Sequence, residues 1–152
     1  MSRVEKRLTE IGVILPSPVA PVANYVPWVL SGRLLHISGQ VSIGREGLIR
    51  GKLGADLSVE QGVEAARACA INLIAQMKAA LDDLDRVTRI VKLSGYVNST
   101  PEFTDQPKVV NGASDLMVAA FGDAGRHARA AVGAPSLPLG AAVEIDAVVE
   151  VD

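Results

Sequence analysis

Residues 141–151 restrict the fold more than any other stretch of the chain. Ala141, Val143, Ile145, Ala147, Val149 and Val151 alternate with Glu144, Asp146 and Glu150. A period of two places the apolar set on one face of a strand and the acids on the other. A strand of this kind belongs to a sheet that is covered on one side only. The cover is also visible. Ser58 and Gln61 make a capping box, with Asp56 just before it. Val63, Ala66, Ala70, Leu73, Met77, Ala80 and Leu84 then recur at three- and four-residue steps, which predicts a helix over 59–82. A second helix has Asp105 near its cap and Pro107 in its first turn. Val109, Val110, Ala113, Leu116, Met117, Ala120 and Phe121 follow, and Gly122 ends it.

The remaining segments fill in a sheet. Residues 86–97 read as a strand with Val87, Val91, Leu93 and Val97 on one side. Residues 25–31 and 33–43 read as two strands joined at Gly32, with Leu35, Ile37 and Val41 sharing a face, and 127–133 as a short strand. Gly44 to Gly54 is a glycine-rich loop with room for a short strand at 48–50. Ahead of these, Val4, Leu8 and Ile11 mark one face of a helix over 3–11, with Gly12 beyond its end. Prolines then hold the chain extended to Pro21, along a surface or along a neighbouring subunit. The order is a short helix and then β-β-α-β-α-β-β, an α+β fold with two helices packed on one face of a sheet. Residues 1–20 form an N-terminal helix and arm, and 21–152 a single domain.

Composition excludes several kinds of function. The 152 residues carry a net charge of −2 and only 3% aromatics, which disfavours a counterion-releasing nucleic-acid surface or a base-stacking platform. One cysteine, Cys69, permits no internal disulfide and no multi-cysteine zinc site, and as a mid-helix residue it reads as a packed thiol. With only His36 and His127 there is no histidine-rich metal centre. Residues 11–32 are uncharged, yet Pro16, Pro18, Pro21 and Pro27 break them as a spanning helix, and the first residues lack a signal-peptide core. The expectation is a soluble, cytoplasmic protein with no membrane partner. Gly51-Lys52-Leu53 lacks the hydroxyl residue and the upstream spacing of a phosphate-binding loop, and neither GxGxxG nor GxSxG occurs. Asn98-Ser99-Thr100 matches a glycosylation sequon that has no meaning in the cytosol.

Arg129 is what remains, in the alanine-rich run His127-Ala128-Arg129-Ala130-Ala131. A guanidinium fork is the standard partner of a carboxylate, so Arg129 reads either as a ligand clamp or as half of a structural ion pair with a strand acid such as Asp146. Glu144, fifteen residues downstream, reads by itself as a solvated strand acid.

Four places together resemble the RidA (YjgF) family: Ile37-Ser38-Gly39-Gln40-Val41, Asn24-Tyr25-Val26, Asn111 in the second helix, and Ala128-Arg129-Ala130 followed by Val143-Glu144-Ile145-Asp146-Ala147. The resemblance covers about residues 20–151. It implies a chorismate-mutase-like mixed sheet and a homotrimer with sites between subunits. It also implies hydrolysis of enamine or 2-imino acid metabolites to 2-keto acids and ammonia, with no cofactor and no metal. On that resemblance Arg129 clamps the substrate carboxylate, and Glu144 holds and polarises the attacking water. A backbone group at Ala131 helps hold the water, Gly39 admits close approach of the backbone to the ligand, Tyr25 walls the pocket, and Asn111 adds a hydrogen bond. His127 shares a side with Arg129, where it tunes specificity or donates a proton; the alternative is a satisfied interface histidine. The partner implied is a small carboxylate-bearing imine or keto acid. Competing readings are a non-catalytic trimer that binds small carboxylates and a ribonuclease-like activity. His127 stands where the signature usually has proline, Ala131 where many members have cysteine, and the 134–140 loop differs, which marks a divergent subgroup.

Overall fold

The alternating strand lies at the centre of the sheet, as its pattern requires. A computed structural model describes residues 1–152. Its main sheet has five strands in the order β1 (Trp28–Ser31), β2 (Leu34–Val41), β7 (Val143–Val151), β5 (Val87–Asn98), β6 (Ala128–Ala134). The pairs β1–β2, β2–β7 and β5–β7 are antiparallel and β5–β6 is parallel, so the sheet is mixed. A small hairpin, β3 (Ile43–Gly44) with β4 (Gly47–Leu48), stands apart. Along β7 the odd residues Val143 to Val151 are all buried, and the residues between them are half-exposed.

Helices α2 (Val59–Leu81) and α3 (Gln106–Phe121) cover the buried face. The capping box at the start of α2 is present in both directions: Gln61 N–H donates to Ser58 Oγ and Ser58 N–H to Gln61 Oε1. Every apolar position expected to face inward from α3 is buried. The two helices lie so close that a β carbon at Gly112 would meet the Val63 carbonyl oxygen at 2.1 Å. Cys69 is fully buried, its Sγ 3.4 Å from the Val143 carbonyl, and burial raises its pKa well above the ordinary thiol value, which makes it an inert core thiol.

Besides Val63 of α2, which is only half-buried, three inward-facing positions differ from the periodicity, two of them because strands carry an extra residue. In β2, Ile37 pairs with Ala147 but Gln40 pairs with Ile145, so Ser38 and Gly39 form a bulge. Beyond it the faces exchange. Gln40 turns inward at 6% exposure, and Val41, expected beside Leu35 and Ile37, turns to the open face. β5 is bulged twice against β7, which sends Ile90 into the core and leaves Val91 out of it. The third is in the N-terminal helix α1 (Arg3–Glu10), where Val4 and Leu8 are buried but Ile11 lies past the last turn at 41% exposure, and Val13 fills the core position instead. Gly12 takes the left-handed conformation (φ +77°) beyond the helix, as its C′ role requires.

Asp85 docks α1 onto the domain. Its carboxylate accepts from the Arg3 and Val4 amides at 3.0 and 3.2 Å, at the helix end where a negative charge is favoured. No helix is long and apolar enough to cross a membrane.

The backbone contact at Gly112 leaves no flexible atom to yield. Gly112→Ala should cost about 2–3 kcal/mol by overpacking and lower the melting temperature by roughly 4–12 °C, measured by circular dichroism. An unchanged melt would mean that the helices part easily.

Candidate functional site

Arg129 lies on β6, opposite Leu93 of β5, and points to the helix-covered side. Its Nη1 donates to Asn111 Oδ1 at 2.9 Å and to Ser114 Oγ at 3.1 Å, and its Nη2 to the Pro107 carbonyl at 3.2 Å. All three acceptors are neutral and all belong to α3. The structural ion pair with Asp146 does not form: Asp146 is on the opposite face of the sheet, beside Ser94 and Lys92. The fork is therefore held by one helix, and its positive charge is unneutralised within the chain.

His127 belongs to the same cluster. Its Nε2 is 2.8 Å from Ser114 Oγ, and its Nδ1 is 2.6 Å from the Gly125 carbonyl. A carbonyl can only accept, so Nδ1 carries the proton there. In the neutral ring Nε2 then accepts, so the Ser114 hydroxyl donates a hydrogen bond to it while accepting one from Arg129, which links the guanidinium to the ring. The sequence reading did not single out Ser114. Its signal was available, because Ser114 sits three residues after Asn111 and shares its helix face. Ala131 follows on β6, opposite Gly95, and its side chain packs against the core.

The other expected residues gather on the open face of the sheet. Glu144 pairs with Tyr96 and Val41 along the strands, and its carboxylate lies over Gly39. A β carbon at Gly39 would come within 2.4 Å of Glu144 Oε2. A side chain at position 39 would therefore push the Glu144 carboxylate aside, and what approaches the glycine is the Glu144 side chain. Glu144, Gly39 and Tyr25 line one cleft of about 720 Å³ with His36, Ser38 and Asp146. The arm segment 19–23 forms its far wall.

Two buried amides on α2 hold this cleft in shape. Gln76 Nε2 donates to the Val19 carbonyl at 2.9 Å and so fastens the arm, and it lies 3.5 Å from Gln40 Oε1 on the bulged strand. Asn72 Nδ2 donates to the Ile43 carbonyl at 2.9 Å. Both are polar residues on a mostly apolar helix face, which was the one available sign of them.

Within one chain, then, Tyr25, Gly39 and Glu144 meet on one face, and Arg129, Asn111 and His127 meet behind the other. The chain by itself does not bring Arg129 to Glu144. Burial is the main cause of a raised Glu144 pKa, and the Asp146 charge adds to it; burial also raises Asp146. The cleft can therefore hold a carboxyl poised to exchange a proton closer to neutral pH. No cluster of acids, histidines and cysteine has the makings of a metal site.

A raised carboxyl pKa means that the folded chain holds its proton more tightly than the unfolded chain. Stability then falls as pH rises from the ordinary carboxylate range through the raised value. Glu144→Gln removes that loss, so its melting temperature should exceed the wild type's at pH 7.5, and the gain should shrink at pH 4, where the glutamate is protonated in both states. Equal gains at both pH values would refute the burial account.

The sequence model of the family described as "YjgF/chorismate_mutase-like, putative endoribonuclease" matches residues 5–151. Protein TCP17 of Trypanosoma cruzi is 54% identical over 154 residues, which take in 99% of this chain and 95% of that protein. The solved structure of Atu1372 from Agrobacterium tumefaciens, a protein of unknown function, is 49% identical and superposes with a TM-score of 0.92 over 98% of this chain and 92% of that one. RidA from the Antarctic bacterium Psychrobacter sp. is 26% identical, with a TM-score of 0.61 over 89% and 94% of the two chains. The backbone thus follows Atu1372 much more closely than it follows RidA. The mixed sheet under two helices and the match over nearly the whole chain make this protein a member of the YjgF/RidA family, with the chorismate-mutase-like fold.

Proposed function

We propose that the protein hydrolyses reactive enamine- or imine-derived 2-imino acids to 2-keto acids and ammonia, at sites completed between adjacent copies of the chain in a homotrimer. The observation that carries this reading is the state of Arg129. Its five N–H groups meet three neutral acceptors, and no carboxylate answers its charge. Nε–H and one Nη2–H remain, enough for a substrate carboxylate to be gripped by two parallel bonds. The separation of the two residue groups on opposite faces supports an inter-subunit site, because a second chain laid against the open face can present its Arg129 to the Glu144 cleft. Asn111 and Ser114 act as positioning residues for the fork, and His127 positions Ser114.

In the reaction Glu144 takes a proton from water as the water oxygen bonds to the imine carbon. That proton passes to the imine nitrogen and gives a carbinolamine; the hydroxyl proton then moves through Glu144 to the amino nitrogen as the C–N bond breaks, so the keto group forms and ammonia leaves. The imine carbon is electrophilic already, so the protein supplies orientation and proton transfer. Tyr25 closes the side of the cleft, and a backbone group at Ala131 of the neighbouring copy helps hold the water. The acidic balance of the chain and its scarce aromatics give nucleic acid little to bind.

The test is ammonia release from an enzymatically generated 2-imino acid. The wild type should exceed the buffer rate, and Arg129→Ala should reduce kcat/KM by roughly 100-fold or more, as loss of a charged clamp does. Glu144→Gln should abolish turnover but retain binding of the 2-keto acid product. Wild-type turnover at the buffer rate, with product still bound, would replace the deaminase reading by that of a carboxylate-binding protein.

A further inference from the structure

A second polar recess lies at the carboxyl ends of the parallel pair β5–β6, and the way the chain builds it accounts for a lysine that no phosphate-loop motif explains. Leu53 is fully buried and fastened on both sides: its N–H donates to the Asn98 carbonyl at 2.8 Å, and its carbonyl accepts from Thr100 N–H at 3.0 Å. The loop can lie this close because Gly54 is left-handed (φ +91°) and a β carbon there would strike Thr100 Oγ1 at 2.4 Å. With Leu53 pinned, Lys52 leans across the strand ends. Its Nζ donates to Asn98 Oδ1 at 2.6 Å and to the Pro135 carbonyl, and no carboxylate lies within ion-pair distance.

Other donors converge on the same space. Ser99 is 6% exposed as a residue, and its Oγ, which makes no hydrogen bond within the chain, is the part that opens on the recess. Gln106 donates one amide N–H to the Phe103 carbonyl at 2.8 Å and keeps the other. Ser99 Oγ and Gln106 Nε2 close over Gly133, where a β carbon would lie 2.6 and 2.9 Å from them, so the missing side chain leaves the room. Gln106 is also the first residue of α3, whose N-terminus has neither a side-chain cap bond nor an acid in its first turn. Its N-cap residue, Asp105, turns its carboxylate to Lys108 at 3.6 Å instead of capping the helix. No acidic residue lines the recess, which holds about 410 Å³.

We propose that this recess binds a small oxyanion group, the phosphate or carboxylate of a metabolite, through Lys52 Nζ, Ser99 Oγ and Gln106 Nε2. The site is distinct from the cleft at Glu144 and does not depend on the deaminase reading. It shares a structural element with Arg129, because Gln106 adjoins Pro107, whose carbonyl takes an Arg129 bond.

Titration of the 15N-labelled full chain with inorganic phosphate, and separately with acetate, at constant ionic strength set by chloride, tests the site. The amide signals of Ser99, Thr100, Gln106 and Gly133 should shift and saturate with at least one of the two, and the better anion identifies the ligand's group. Lys52→Met should weaken binding about tenfold, which corresponds to about 1.4 kcal/mol. Ser99→Ala, a smaller change that keeps the fold if Lys52→Met does not, should weaken it by a few-fold, roughly the loss of one hydrogen bond. Arg129→Ala should leave these shifts unchanged, which separates this site from the deaminase site. Absence of saturation with both anions, saturation confined to the signals around Arg129, or binding unaltered by the recess substitutions overturns the proposal.

Discussion

One extra residue in β2 governs the geometry of the open face. Between Ile37 and Gln40 the strand takes three steps while β7 takes two, and the excess at Ser38–Gly39 reverses which side chains point inward. Three consequences follow. Gly39 comes to lie under Glu144, where any side chain would occupy the carboxylate's place. Gln40 turns inward within reach of Gln76, so the bulged strand and the proline-rich arm share one buried amide. Val41 turns outward and becomes part of the cleft wall. A strand of perfect alternation would have kept Val41 in the core and left the acid above a flat, featureless sheet.

The electrostatics follow from where each charge is anchored. Arg129 is bound to one helix by neutral acceptors, so its position is set without its charge being neutralised. Glu144 and Asp146 lie side by side on a partly desolvated face, and each favours its protonated form more than a surface acid would. The chain thus keeps an unneutralised cation behind the sheet and protonation-prone carboxyls in front of it. In the proposed assembly, two copies laid together bring these opposite tendencies to one substrate.

Much of the fold was legible because the hydrophobic periods are clean. The strict alternation of β7, the capping box of α2 and the buried stripe of α3 each state their own structure locally. The inward positions that periodicity misplaced have physical causes. Val41 and Val91 sit beside bulges, and a bulge is invisible to a period-two reading because it inserts a residue without changing the composition around it. Ile11 fell just beyond the last turn of α1, where the helical face no longer applies. Among the polar residues, Ser114, Asn72 and Gln76 could have been suspected only as polar interruptions of apolar faces, since their partners lie far away in sequence.

The amino-acid sequence by itself determined the elements, their order and the two-faced character of the sheet, because propensity, capping and hydrophobic period act over a few residues at a time. Its ordered motifs also identified the family. Only the tertiary structure decided that Arg129 and Glu144 face opposite sides, that Gly39 makes space for an acid, and that Lys52 and Ser99 share a recess. Each of those facts depends on strand register and on the docking of distant segments. Register is settled by the whole packed sheet at once, so no local pattern can announce it.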